Sequence, residues 1–236
     1  MTANARDKTE SVPYITMRAG EAEESFWELR ASFTAAGSSR LKYRDETRRD
    51  RDVQGVLWAR MSQKLDPKRQ WPTGLPLHRL INPNRQHETM LGLLCQWCKK
   101  PARTRTTPKG LLVFLESARR GVPTSSAAVR TAQPPVCLRC AVKAVERWSG
   151  LVKHGVVVLL AQSAPLYGVM GTRYEYVNRS IRALDPVDEP IPYGHSALDW
   201  VLASQLIRTP RAFTVISVAD LYDLAAPATA AQDNYL

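Results

Sequence analysis

Long apolar runs are missing from this chain of 236 residues. The longest, Gly155 to Ala161 (GVVVLLA), falls far short of the ~20 residues that a bilayer-crossing helix needs. The opening stretch MTANARDKTESV has none of the apolar core of a secretory signal, so the expectation is a cytoplasmic protein with no membrane contact. Cysteine is scarce. Four residues in a chain of this length do not make a disulfide scaffold, and a reducing compartment keeps them as thiols. Phosphate-loop and nucleophile signatures are absent, with no GxxxxGK[ST], no GxGxxG ahead of a helix and no GxSxG. Internal repeats are absent too.

What is present is a basic, core-forming composition. The chain is 44% hydrophobic and 23% charged, enough apolar residue to bury a core. Its net charge of +11 is concentrated: residues 40–153 hold 24 Lys/Arg against 8 Asp/Glu, while the flanks on either side are slightly acidic. That excess points either to a polyanionic partner or to a solvated basic face. Arg48, Arg49, Arg51, Arg103, Arg105, Arg119 and Arg120 are the candidate phosphate contacts.

Four regions follow from the texture of the chain. Residues 1–40 read as a loosely packed segment with one amphipathic helix, Glu21 to Phe33. Residues 41–153 form the basic region, residues 154–224 a C-terminal α+β part packed on it, and residues 225–236 a flexible tail. Within the basic region, Tyr43 to Asp52 mixes charges like a solvated loop and Gly55 to Met61 has strand-like content. NPNRQHETMLGLL is the best helix start, with Asn82 to cap and Pro83 at the first helical position. Leu111 to Glu116 reads as a strand, and AVKAVERW continues as a helix after Cys140. Farther on, GVVVLLA, YGVMG, RYEYV and AFTVISV read as short strands, and Ser196 to Arg208 as an amphipathic helix. Tyr174 and Tyr176 alternate on their strand beside Arg173 and Arg179, a weak stacking platform. The mixture implies α+β.

The four cysteines form two CxxC pairs, Cys95 with Cys98 and Cys137 with Cys140, separated by 38 residues. A two-residue spacing turns both thiolates of a tight turn toward one ion at ~2.3 Å, and two such turns complete a tetrahedron. A full set of four leaves no open position, which favours structural Zn²⁺ over a catalytic metal; iron is the alternative at the same sulfurs. Lys99, Lys100, Arg139 and Lys143 would offset the net −2 of a Zn(Cys)4 centre. The order of knuckle, hairpin-like residues and a CxxC that opens a helix looks like a treble-clef zinc finger. Treble clefs also carry HNH nucleases, but Lys99 to Gln133 contains no His and no Asp to serve as base or metal ligand, so a degenerate HNH-like nuclease stands as the less favoured alternative. The four histidines, His78, His87, His154 and His195, are scattered; the last two leave an enzyme pocket with the acidic loop LDPVDEP as an open alternative.

RDVQGVLWARM, HETMLGLLCQWC, PPVCLRCA and WVLASQLIR together resemble a group of uncharacterised actinobacterial proteins with the same order of parts, over roughly Lys42 to Leu221. The resemblance implies a zinc-bearing fold in a bacterial cytoplasm and no particular activity. Its members often place a His before the Pro-Pro, where this chain has Gln133, which argues against a fifth, catalytic ligand here. The resulting expectation is a non-catalytic zinc protein that binds nucleic acid through its basic middle. The alternative is a protein–protein adaptor or assembly subunit, with Trp200 and Leu206 as contact residues.

Overall fold

A computed structural model describes residues 12–22, 28–33, 37–104, 110–124, 129–185 and 188–226, with the backbone alone at 120, 149, 150 and 152. The fold is mixed α/β and mostly strand. In chain order the strands are β1 (Thr16–Arg18), β2 (Leu29–Phe33), β3 (Ser39–Tyr43), β4 (Leu57–Trp58), β5 (Pro76–Ile81), β6 (Leu112–Ser117), β7 (Val156–Ser163), β8 (Leu166–Val177), β9 (Ser180–Ala183), β10 (Ile191–Pro192), β11 (Val201–Arg208) and β12 (Arg211–Ile216). The helices are α1 (Pro83–Leu91), α2 (Leu138–Arg147), α3 (Ser149–His154) and α4 (Val218–Ala225).

The apolar runs LLVFLE and VVVLLA pair as β6 and β7, and β12 completes an antiparallel sheet in the order β12-β7-β6. Near-continuous hydrophobic sequence requires cover on both faces, and Leu112, Val113, Phe114 and Leu159 are fully buried. This sheet shares one core with Ala141 and Ala144 of α2, Leu221 of α4 and the cysteines. A second sheet runs β10-β8-β11-β4, with β9 on the far end of β8 and β11 parallel to β4. Its strands approach closely because β8 carries glycine at two crossings: a Cβ on Gly168 would lie 1.9 Å from Ile191 O, and one on Gly171 2.1 Å from Leu202 O.

Several expectations change in the tertiary structure. Ser196 to Arg208 is not a helix. Ser196–Trp200 is a short 3-10 turn capped by His195, and Val201–Arg208 is β11. Val201, Ala203 and Leu206 pack with Met90 of α1, while Leu202 packs on the opposite side with Leu29, Leu41 and Leu57. A strand covered on both faces carries the same apolar density as a buried helix, so periodicity does not separate them. Leu206 is accordingly buried and offers no contact surface. The helix expected over 21–33 is replaced at its end by β2, which pairs with β3; residues 23–27 lie outside the described set. YGVMG and RYEYV belong to one strand, β8. The chain also forms α4 before its last residues, with a capping box between Ser217 and Asp220.

The N-terminal residues are packed where they are described: Val12, Tyr14 and Ile15 are buried. Glu21 explains much of this. It is fully buried, takes two hydrogen bonds from the equally buried Arg85 of α1 at 2.6 and 2.8 Å, and accepts from the backbone N–H of Arg18 and Lys64. Beside it Arg18 is completely buried with its guanidinium unpartnered. The charged stretch Tyr43 to Asp52 is likewise not a solvated loop. Asp50 is buried and bound to Arg60, and Asp52 accepts from Trp58 Nε1 (3.2 Å) and Tyr193 Oη (2.8 Å).

Candidate metal centre

The centre is built outward from α1. Asn82 caps that helix as expected, its Oδ1 accepting from the N–H of Asn84 and Arg85, with Pro83 at the first position. Two side chains clamp α1 to β11. Gln86 exchanges a reciprocal pair with Leu206, accepting from its N–H and donating to its carbonyl at 2.9 Å each, and also donates to Ala132 O. Arg208 donates to the last carbonyls of the helix, Met90 O at 2.7 Å and Leu91 O at 3.1 Å, and to Ala164 O. A cation at a helix C-terminus satisfies groups that have no partner within the helix. The helix therefore ends in a fixed place, just ahead of Cys95.

The first knuckle then closes on itself. Cys95 N–H donates to Lys100 O at 2.7 Å and Lys99 N–H to Cys95 O at 2.9 Å, with Lys99 in the left-handed region at φ 58°. The second pair approaches along Pro134 and Pro135, pinned where Val136 N–H donates to Val113 O of β6. Cys137 then opens α2 and Cys140 lies in its first turn. Gln96 joins the two knuckles, its N–H donating to Pro135 O and its Nε2 to Pro134 O, both at 3.0 Å.

These constraints bring all four Sγ atoms within 4.8 Å of one another, and Cys98 Sγ lies 3.8 Å from Cys137 Sγ. A tetrahedron with metal–sulfur bonds of ~2.3 Å has sulfur–sulfur edges of about 3.8 Å. The donor set and its spacing thus fit one tetrahedral ion. Cys95 and Cys140 are buried and the other two half-buried. Packed this closely, the thiols compete for protons. Hydrogen bonding with Cys137 above all holds Cys98 far below the ordinary thiol value and pushes Cys140 and Cys95 up, while its bond with Cys140 brings Cys137 to about 7. A cation meeting this cluster replaces shared protons with four ligands. Among the described residues it is the one group of three or more His, Cys, Asp or Glu side chains able to hold an ion.

Between the pairs the described residues contain one strand, β6, which hydrogen-bonds to β7 beyond the second pair; the hairpin expected there is not formed among them. Lys99 does not serve the cysteines alone: its Nζ pairs with Glu88 at 2.8 Å and lies over the Tyr14 ring. The candidate phosphate contacts are divided between two parts of the fold. Arg48 and Arg49 are exposed on a 3-10 turn after β3. Arg51 beside them is committed, bonded to both carboxylate oxygens of Glu46 and to the carbonyls of Leu41 and Gly55. Arg119 and Arg120 follow β6, Arg119 being exposed. Arg103 is exposed, with weak bonds to Gly110 O and Gln162 O, and Arg105 lies outside the described residues. His154 ends α3, and His195 accepts from Ala197 N–H as a turn cap. His87 lies edge-on to Trp58, and burial lowers its pKa against the pull of Asp52. Nothing in the spacing of Gln86, Gln96 or Arg208 marks them as positioning residues; their roles depend on strands that approach from elsewhere.

No family model matches the chain, and no curated protein or solved structure resembles it significantly. No helix among the described residues is long and apolar enough to cross a membrane.

Proposed function

We propose that this is a non-catalytic protein in which Cys95, Cys98, Cys137 and Cys140 hold a structural zinc ion and the basic surface binds single-stranded nucleic acid. Four thiolates in a closed site with no open coordination position support a structural rather than a catalytic ion; zinc in place of iron is part of the proposal, read out by elemental analysis. The ion's role is to tie α1, the Pro134–Pro135 approach and α2 together, in a treble-clef-like manner, as in the resembling actinobacterial group. A bacterial cytoplasm would keep the thiols available for it.

The observation that supports a nucleic-acid partner best is a groove between the β2–β3 hairpin and the β8–β9 pair. It encloses about 640 Å³ and is lined by Arg30, Phe33, Tyr176 and Arg179. Phe33 is 57% and Tyr176 38% exposed, with ring centroids 5.1 Å apart, and Trp200 stacks behind Tyr176 at 6.4 Å. Exposed rings flanked by guanidinium groups are what successive unpaired bases stack on, whatever their sequence. Arg48, Arg49, Arg103, Arg119 and Arg120 would add phosphate contacts, and Arg105 with them.

The test is equilibrium binding of zinc-loaded protein to labelled single-stranded DNA, RNA and duplex DNA across salt concentrations. The expected result is a preference for single strands, with log K falling against log salt by ~0.7 per phosphate contact. Tyr176→Ala should weaken binding by about tenfold or more, since one stacked base contributes ~1–3 kcal/mol. A flat salt response, or equal affinity of Tyr176→Ala and the parent, refutes the reading and turns attention to a protein partner.

A further inference from the structure

The strand β5 and the end of α2 form a face that neither the metal centre nor the groove uses. Among the described strands β5 pairs with β1 alone, so its other edge has no strand partner. Its residues turn to solvent: His78 and Arg79 are exposed, Leu80 is 51% exposed, and Leu75 just before the strand is 76% exposed. An open edge presents a row of N–H and C=O groups ready to pair with another extended chain. Beside the strand lies a cavity of about 270 Å³, bordered by His78 to Ile81 and, across from them, by Arg147 and Trp148. It is smaller than the ~300–1,000 Å³ of sites for drug-sized ligands, and its size suits an inserted side chain.

The face is cationic and has no carboxylate of its own. No acidic residue lines the cavity. Arg139 and Lys143 precede Arg147 at four-residue spacing, so three cations share one side of α2 over about 12 Å. Glu146 is engaged elsewhere, accepting from Tyr222 Oη of α4 at 3.1 Å. None of Arg79, Arg139, Lys143 and Arg147 forms an ion pair with a described residue.

Three occupants could meet such charge. A second copy paired edge to edge across a two-fold axis would line up the arginines of both copies along one seam, and like charges placed opposite each other destabilise a sheet. A nucleic-acid strand would satisfy the arginines but leave the strand edge and the cavity unused. The indole here, Trp148, is half-buried and offers no open stacking surface of the kind Phe33 and Tyr176 provide. An extended acidic peptide uses all three features, since edge pairing supplies affinity and pockets for alternate side chains supply specificity.

We propose that β5 and the end of α2 form a docking site for an extended acidic segment of another protein. The segment adds to the free edge of β5, sets its carboxylates against Arg79 and Arg147, and places one apolar side chain in the cavity. This site shares no residue with the groove, so either can exist without the other.

The test is fluorescence anisotropy of the full chain with a labelled peptide, Glu-Val-Glu-Phe-Glu-Val-Glu, across salt concentrations. The peptide should bind, and more weakly as salt rises. Replacing every Glu by Gln, or Phe by Ser, should weaken it about tenfold. Arg79→Glu and Arg147→Glu should each weaken it roughly fivefold; both side chains are exposed and free of ion pairs, so the fold does not depend on them. N-methylation of one alternate set of peptide amides should abolish binding while the other set is tolerated, because alternate N–H groups face the partner strand. No binding at low salt, equal affinity of the Glu and Gln peptides, or unchanged affinity in both arginine variants overturns the proposal. Loss of peptide binding in Tyr176→Ala also overturns it, by placing the peptide in the groove. Oligothymidylate binding that is lost in Arg79→Glu and Arg147→Glu would give this face to nucleic acid, and a dimer dissolved by Arg79→Glu would give it to a second copy; either result overturns the proposal.

Discussion

Asp50 gives the most quantitative test of how the basic segment is held. Its carboxylate takes two bonds from Arg60, at Nε (2.8 Å) and Nη2 (2.9 Å), and two from Thr47, at N (2.6 Å) and Oγ1 (2.9 Å). Arg60 in turn lies over the Tyr43 ring at 4.1 Å. The Arg60 hydrogen bonds, outweighing burial, bring the Asp50 carboxyl from 3.8 to about 2. A carboxyl depressed by that much contributes about 2 kcal/mol of stability at neutral pH. Because the folded value lies below the unfolded one, this contribution is complete above pH ~4 and is lost as pH falls through 2, with about 1 kcal/mol left at pH 3. Asp50→Asn keeps the shape and removes the charge. Urea unfolding at pH 7 should show a loss of about 2 kcal/mol, equivalent to roughly 4–8 °C in melting temperature for a chain of this size. The difference from the parent should shrink by about half at pH 3. In a double-mutant cycle with Arg60→Met, most of the loss should appear as coupling. An unchanged midpoint at pH 7, or a loss of the same size at both pH values, would refute the reasoning. Function enters because Asp50 ends the turn that carries Arg48 and Arg49; strand binding by Asp50→Asn should fall in step with that of Arg48→Ala.

Other tests address the remaining links. Glu21→Gln leaves Arg85 and Arg18 as buried cations without a carboxylate, and breaking a buried pair this way should cost ~3–5 kcal/mol in chemical unfolding. Burial opposes the Glu21 charge, but the Arg85 bonds prevail and set its pKa below 4.5, so the parent should lose this stabilisation only in acid, below that value. Cys137→Ser should abolish stoichiometric zinc in elemental analysis and lower the melting temperature steeply, as chelation of the parent should; full metal content with unchanged melting would exclude a structural site. Gly171→Ala places a methyl against the Leu202 carbonyl and should prevent β8 and β11 from closing, seen as loss of soluble folded protein, whereas Gly37→Ala, in open space, should cost far less despite its positive φ.

Local signals were legible wherever chemistry is carried by neighbours in the chain. Asn82 and Pro83 start α1 because a cap needs only the next three N–H groups. The two CxxC pairs announce a cluster of ligands because each pair sits within one local turn, the first a knuckle and the second the opening of α2, and the apolar runs of β6 and β7 announce buried strands. Val201–Arg208 was misread because two faces covered by different clusters leave a pattern that periodicity cannot assign. Glu21, Arg85 and Arg208 were illegible for a related reason: their partners lie 64 residues away for Arg85 and Glu21, and 118 for Arg208 and Met90.

The sequence by itself determined that four thiols would stand in two pairs with the spacing of ligands to one ion, that the middle of the chain would be basic, and that α1 and α2 would begin where they do. Those are matters of spacing, composition and capping, which act over a few residues. Only the tertiary structure decided that β11 is a strand and that Gln96 bridges the knuckles. It alone placed Phe33 beside Tyr176, and left the buried Arg18 guanidinium without a hydrogen-bond partner among the described residues. Burial is a property of what arrives from elsewhere in the chain, and a polar atom is known to lack a partner only when everything that could reach it has been placed.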